Sequence, residues 1–236
     1  MGKGGLVGDV ANVNLSGVWK LGEVYREKYD GTWDVSPTLI GTSSNNITSN
    51  ESSISLTKPA GTQSGDLVVV MLTGGSGSND VGNWTNTDFT FLYENTTATQ
   101  ANSAIAYRVL NGTEGASFNF TITNSCKLSG ELIVYRGASS IVTSSQNLQA
   151  SGSPLIASSI TASDNSILFA MFAQQKDNAI FSSAPGDLTL LRTYSGSHKH
   201  SYWIGYKTVT TFGSTGNYQI NSSGTQSSAN FLFTIG

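Results

Sequence analysis

From about residue 37 onward the chain alternates short apolar runs with clusters of Gly, Asn, Ser and Asp, and no helical period of any length appears after Pro37. Leu67 to Leu72, Phe89 to Tyr93, Ala104 to Leu110, Phe118 to Thr123 and Glu131 to Tyr135 carry the β-branched and aromatic residues of strands bounded by turns. Ser117 to Ile122 alternates polar and apolar, which predicts a strand with one wet face. Leu67 to Leu72 is apolar at every position, which predicts a central strand covered on both faces. Ile54-Ser55-Leu56 reads as an extra edge strand ahead of them. The pattern predicts an all-β chain.

The runs recur in order at an offset of roughly one hundred residues, the mark of an internal repeat. Gly65 to Met71 is answered by Asn165 to Met171, Phe89 to Tyr93 by Leu188 to Arg192, and Ser103 to Leu110 by Tyr202 to Val209. Ala116 to Thr121 is answered by Gly216 to Asn221, and Ser129 to Gly137 by Ser228 to Gly236. Two pseudo-repeats follow, at about 59–137 and 158–236. Each copy could close its own small barrel, or the two could supply halves of one jelly-roll-like β-sandwich about an approximate two-fold. The second arrangement is favoured, because a copy of this size has few residues to fill a private core and its apolar runs are too long to leave one face open.

Ahead of this 36–236 β-sandwich domain the pattern changes. Residues 1 to about 16 are glycine-rich and predict an arm. Val18, Leu21, Val24 and Tyr25 then fall at helical spacing, with Ser16 able to cap the start and Asp30-Gly31 to stop it. A helix of roughly thirteen residues is marginal alone in water. Its stripe of Val18, Trp19, Leu21, Val24 and Tyr25 therefore needs the body, a symmetry mate or a dock to cover it, and residues 1–35 are the candidate attachment or oligomerisation zone.

Composition narrows the function more than the fold. With 12 Lys plus Arg against 15 Asp plus Glu and a formal charge of -3, the chain lacks the basic footprint of nucleic-acid binding and the polybasic patch of a membrane surface. Charged residues make up 11%, so hydroxyl and amide groups must cover much of the surface. Met1 to Gly8 has no apolar stretch of the secretory kind, and no run approaches the length of a membrane-spanning helix. The expectation is a protein made in a cytosol without membrane insertion.

Candidate chemistry is sparse. One cysteine, Cys126, and two histidines, His198 and His200, leave no serine-triad pattern and no common single-chain zinc set. Asp88, Glu94, Glu114 and Glu131 lie on or beside strands, but any chain with this many acids offers such pairs to a glycosidase reading. No cofactor is implied. His198 and His200 stand two apart on an extended segment, so at a three-fold axis three chains would gather enough imidazoles for an octahedral transition metal. Trp84, Tyr194 and Trp203 sit near strand ends, where a flat ring can stack on a sugar while neighbouring Asn and Ser bond its hydroxyls.

Gly17-Val18-Trp19-Lys20-Leu21-Gly22-Glu23, followed by Gly31-Thr32-Trp33, resembles a segment that recurs in virion proteins of tailed bacteriophages. The turns at Pro59 to Leu67, Ala106 to Val109, Gly112 to Glu114 and Tyr135 to Gly137 are similar to a β-sandwich module of phage and bacterial surface proteins. The resemblance implies a structural or adhesive virion protein, trimeric and without catalytic residues, whose partners are phage tail, baseplate or capsid proteins and host-surface glycan. The lead expectation is a non-enzymatic short tail fibre or receptor-binding protein. A capsid decoration or head-fibre protein is the alternative, since no collagen-like or coiled-coil shaft is present, and a soluble carbohydrate-binding module is the second.

Overall fold

In the computed structural model the residues described are 36–75, 82–95, 102–196 and 200–236. The helix expected around Val18, Trp19, Leu21, Val24 and Tyr25, and the arm before it, lie outside them. The described residues form sixteen strands and are all-β. The first half holds β1 (Thr38–Thr57), β2 (Leu67–Gly75), β3 (Trp84–Thr85), β4 (Thr90–Asn95), β5 (Asn102–Val109) and β6 (Ser117–Arg136). The second holds β7 (Ile141–Gln149), β8 (Leu155–Ala157), β9 (Thr161–Ala162), β10 (Ile167–Gln174), β11 (Phe181–Ser182), β12 (Thr189–Ser195), β13 (Ser201–Thr208), β14 (Gly213–Ser214), β15 (Tyr218–Ser222) and β16 (Ser228–Ile235).

Two antiparallel sheets carry the body. One runs β1-β6-β2-β5-β4 with β3 added on β6, and the other runs β7-β16-β10-β13-β12, so the strand order is the same in both halves. The irregularities agree as well. A bulge between Phe91 and Tyr93 against β5 has its counterpart between Leu190 and Arg192 against β13, and a bulge near Gly41 on β1 matches one near Ile141 on β7. The turn into β2 closes with the Gly65 amide donating to Leu110 O at 2.8 Å, and the turn into β10 closes with Asn165 donating to Val209 O at 2.8 Å. Gly65 and Asn165 both have positive φ, which glycine takes freely and asparagine tolerates.

The ladders correct one register. The sequence pairs Ser129 to Gly137 with Ser228 to Gly236, but Leu67 faces Tyr135 while Ile167 faces Ile235. Glu131 therefore corresponds to Phe231, not to Asn230. A slip of one residue exchanges the two faces of a strand, so the difference decides which side chains meet in the core.

Three apolar clusters show how the layers stack. The first packs Val68, Val70 and Leu72 of β2 against Ile54, Leu56, Phe118 and Phe120. That is possible because β1 and β6 fold over: the Asn45 amide donates to Ser55 O at 3.0 Å, and a Cβ on Gly130 would lie 3.1 Å from Leu56. The second cluster lies between these six- and five-stranded sheets and includes Leu67, Val69 and Met71 with Phe169, Phe231 and Phe233. In it Tyr135 meets Phe169 edge-on at 5.9 Å. The third sets Leu168, Ala170, Phe172 and Leu232 under a small sheet of β8, β15 and β11.

The two inner sheets thus pack face to face, and each carries an outer layer with its own core. The expectation of a single sandwich made from two half-copies describes only the inner pair. β2, β10 and β16 are buried at every residue, which is why β2 and β10 are apolar on both faces over most of their length, while β16 pairs its buried Asn230 and Thr234 by hydrogen bonds to Gln149 and Thr143. Each fully buried Val, Leu or Phe there contributes about 1.5–3 kcal/mol. Cys126, at the fold of β6, is buried beside Gly74, and burial pushes its thiol up to about 11. It is packing, not a nucleophile.

Candidate functional site

The outer layer of the first half presents a cleft of about 440 Å³. Its floor follows from strand alternation: Phe118, Phe120 and Ile122 of β6 point inward, so Ser117, Asn119 and Thr121 form a row of hydroxyl and amide groups outside. Thr85 of β3 joins this row, its hydroxyl bonded to that of Thr121. Asn86 holds the next loop, with Nδ2 donating to Asn119 O at 2.8 Å and Oδ1 accepting from the Asp88 amide at 2.8 Å.

Arg108 of β5 forms the charged wall. Its Nη2 donates to Glu114 Oε1 at 2.9 Å, its Nη1 lies 3.4 Å from Asp88 Oδ2, and its guanidinium stands 5.7 Å from the Phe89 ring and 6.0 Å from the Phe118 ring. Glu114, 3% exposed, also accepts the amides of Asn111 at 2.7 Å and Gly112 at 3.0 Å. Burial raises its pKa, but those amides and Arg108 outweigh burial and hold the carboxyl below its usual range. Glu114 is therefore an anchored anion that fixes a turn and an arginine, and does not hold a proton for general acid catalysis.

The second half repeats the arrangement with changes. Lys207 stands at the position of Arg108 and Asp187 at that of Asp88, joined at 2.7 Å, and Lys207 Nζ lies 5.4 Å from the ring of Tyr218. Burial raises the Asp187 pKa, and hydrogen bonds from Lys207 and Tyr218 more than reverse this. A cation, an aspartate and an aromatic ring at the same places in both halves tie the turn before β4 or β12 to the outer layer.

No family model, curated protein or solved structure matches this chain.

The residues proposed from sequence for sugar stacking lie elsewhere. Trp84 is 2% exposed and donates from Nε1 to Asn102 Oδ1 at 2.9 Å, while Trp203 is 5% exposed and packs on Phe172 at 5.9 Å. Both rings are core, where a large flat side chain gains most, and neither offers a face to a ligand. Tyr194 is half-buried with its ring 5.3 Å from His200 and 5.6 Å from Tyr202. His200 is buried with Nε2 3.1 Å from Ser129 Oγ, so its ring is turned into the body and not toward an outside axis. His198 lies outside the described residues, and among those residues no group of three metal-ligating side chains gathers.

Of the acids considered from sequence, Asp88 and Glu114 come together on Arg108, whereas Glu131 is buried on the inter-sheet face of β6. Glu94 accepts the Trp84 amide, and burial raises its pKa. The cleft escaped the sequence reading because its walls come from β3, β5, β6 and two loops. The available signal was the alignment of Asp88 with Asp187 and of Arg108 with Lys207 in the two copies.

Proposed function

We propose that this chain is a non-enzymatic structural protein of a tailed-phage virion: a short trimeric tail fibre or receptor-binding protein. Residues 1–35 assemble it into a trimer and hold it to the tail or baseplate, and a jelly-roll-like body built from two pseudo-repeats projects toward host-surface glycan. The observation that carries the reading is the order along the chain, in which the Gly17 to Trp33 segment that resembles phage virion proteins stands directly before the 36–236 body. Three features of the body support it. The central strands of its inner sheets, β2, β10 and β16, are buried at every residue, which suits a part exposed to the medium for long periods. Its outer face is rich in Ser, Thr and Asn. The acids that sequence offered to a hydrolase are engaged with Arg108, with turn amides or in the core.

The absence of a shaft pattern in the sequence favours a capsid decoration or head-fibre protein as the second reading. In both, the protein is made in the host cytoplasm and resides in the virion. Particles assembled with a chain lacking residues 1–35 test the anchor. Loss of the protein from purified particles is the expected result, and full incorporation of the shortened chain overturns the assignment.

A further inference from the structure

Beside the paired cation and aspartate the two halves carry rings that differ by one oxygen atom, Phe118 in the first and Tyr218 in the second. In the second half the Tyr218 hydroxyl donates to Asp187 Oδ2 at 2.8 Å, the same oxygen that Lys207 reaches at 2.7 Å. At the equivalent place the first half has Phe118, whose ring lies beside Arg108 as the Tyr218 ring lies beside Lys207. Among the described residues no aryl hydroxyl is hydrogen-bonded to Asp88. Its side chain is 68% exposed, and the contact to Arg108, at 3.4 Å, is long for a hydrogen bond. The cleft opens at this spot.

We infer that the first-half cleft binds a neutral saccharide, one hydroxyl of which donates to Asp88 where Tyr218 donates to Asp187. This deepens the receptor-binding reading and rests on it. A hydroxyl on a carboxylate already facing a guanidinium makes a charge-assisted bond, the stronger kind. The remaining walls supply what a polyol needs. Ser117, Asn119, Thr121 and Thr85 offer both donors and acceptors. A volume of about 440 Å³ lies within the range of small-molecule sites. Two carboxylates surround one guanidinium, so the local charge disfavours phosphate, sulfate and sialic acid. Glu114 touches Arg108 and the turn, and so acts as a positioning residue that fixes the guanidinium.

The test uses the full chain and ligand-observed saturation-transfer NMR. The probes are glucose, galactose, N-acetylglucosamine and their β-linked disaccharides, with sialyllactose as the anionic comparison. Neutral probes are expected to bind with Kd of order 1 mM or tighter. Phe118→Tyr places the hydroxyl that the second half already carries, and should weaken binding about tenfold or more. Asp88→Asn, on an exposed side chain, should weaken it similarly, while Tyr218→Phe leaves the first-half site intact. Thermal melts of each variant confirm that the body is folded.

A null across the neutral panel overturns the inference, as does binding that Phe118→Tyr and Asp88→Asn both leave unchanged, or a preference for sialyllactose. Particle incorporation of the Asp88→Asn chain separates the two levels of the account. Incorporation by a chain whose wild type binds no saccharide removes the cleft and spares the virion reading, and saccharide binding without incorporation of either chain does the reverse.

Discussion

Gly205→Ala should destabilise the body by about 3 kcal/mol, the upper part of the usual range for overpacking a core. A Cβ at this position would lie 2.3 Å from Trp203 Cη2, 2.7 Å from Cζ3 and 3.2 Å from Leu188 Cβ. The Trp203 ring cannot retreat easily, since it is buried against Phe172 and belongs to a strand paired on both sides. The first half shows the alternative solution: Ala104 and Ala106 occupy the places of Trp203 and Gly205 on β5. One large and one absent side chain stand in for two small ones. Trp203→Ala alone should cost about 3–5 kcal/mol through its cavity. The double variant Trp203→Ala, Gly205→Ala should cost less than the sum by at least about 1 kcal/mol, because the methyl group clashes only while the indole is present. Urea unfolding of the four proteins measures this, and strict additivity would contradict the packing argument.

Between pH 4.5 and 7, Glu131 should make the body less stable as pH rises. It sits on β6 facing the inter-sheet core, 3% exposed, at the place held in the second half by Phe231. Phe231 packs at a tilt on Tyr93 of β4 at 5.6 Å, and at the related place Glu131 Oε2 lies 3.8 Å from Nε of Arg192 of β12, the residue equivalent to Tyr93. Both pairs cross between the halves, and an aromatic pair at one place is an ion pair at the place related to it. Burial pushes the Glu131 carboxyl up from 4.5 to about 7, and the half-exposed Arg192 only partly offsets this. Burial, and then the Glu131 charge, also push the Tyr202 hydroxyl upward.

The sign follows from linkage. The unfolded chain gives up the Glu131 proton near pH 4.5 while the folded chain keeps it to about 7, so the stabilisation present below 4.5 is lost through that window, by about 3 kcal/mol. Glu131→Gln should remove this part of the pH dependence, and the wild-type minus variant difference isolates it from other titrating groups. The exchange Glu131→Phe with Arg192→Tyr copies the aromatic pair and should stabilise the body at pH 7 by about 1–4 kcal/mol. A wild type whose stability, relative to Glu131→Gln, rises with pH across the window would refute the placement.

How much of this was legible in the sequence depends on which force sets each feature. Ser117 to Ile122 alternates in the sequence and in burial, because one face of that stretch meets water. Leu67 to Leu72 is apolar throughout because β5 and β6 flank it and side chains cover both faces. The long edge strands were harder to see. Of β1 only Ile54-Ser55-Leu56 stood out, and β7 not at all, since both consist mostly of Ser, Thr, Asn and Gln. They are strands because β6 and β16 need ladder partners, a demand that composition does not carry. The register of the last block was misread for a related reason: Ser-rich ends align equally well one residue apart, and only the ladder to β2 or β10 chooses the face. Trp84 and Trp203 near strand ends looked like stacking platforms, yet cores in a chain with outer layers extend to those ends.

The claim on which the function rests is that residues 1–35 assemble the chain into a trimer. Light scattering of the full-length protein tests it most directly. The account predicts a mass three times the 24.8 kDa of one chain, falling to the single-body mass when residues 1–35 are removed. A full-length protein that scatters as a monomer at concentrations well above micromolar would contradict it.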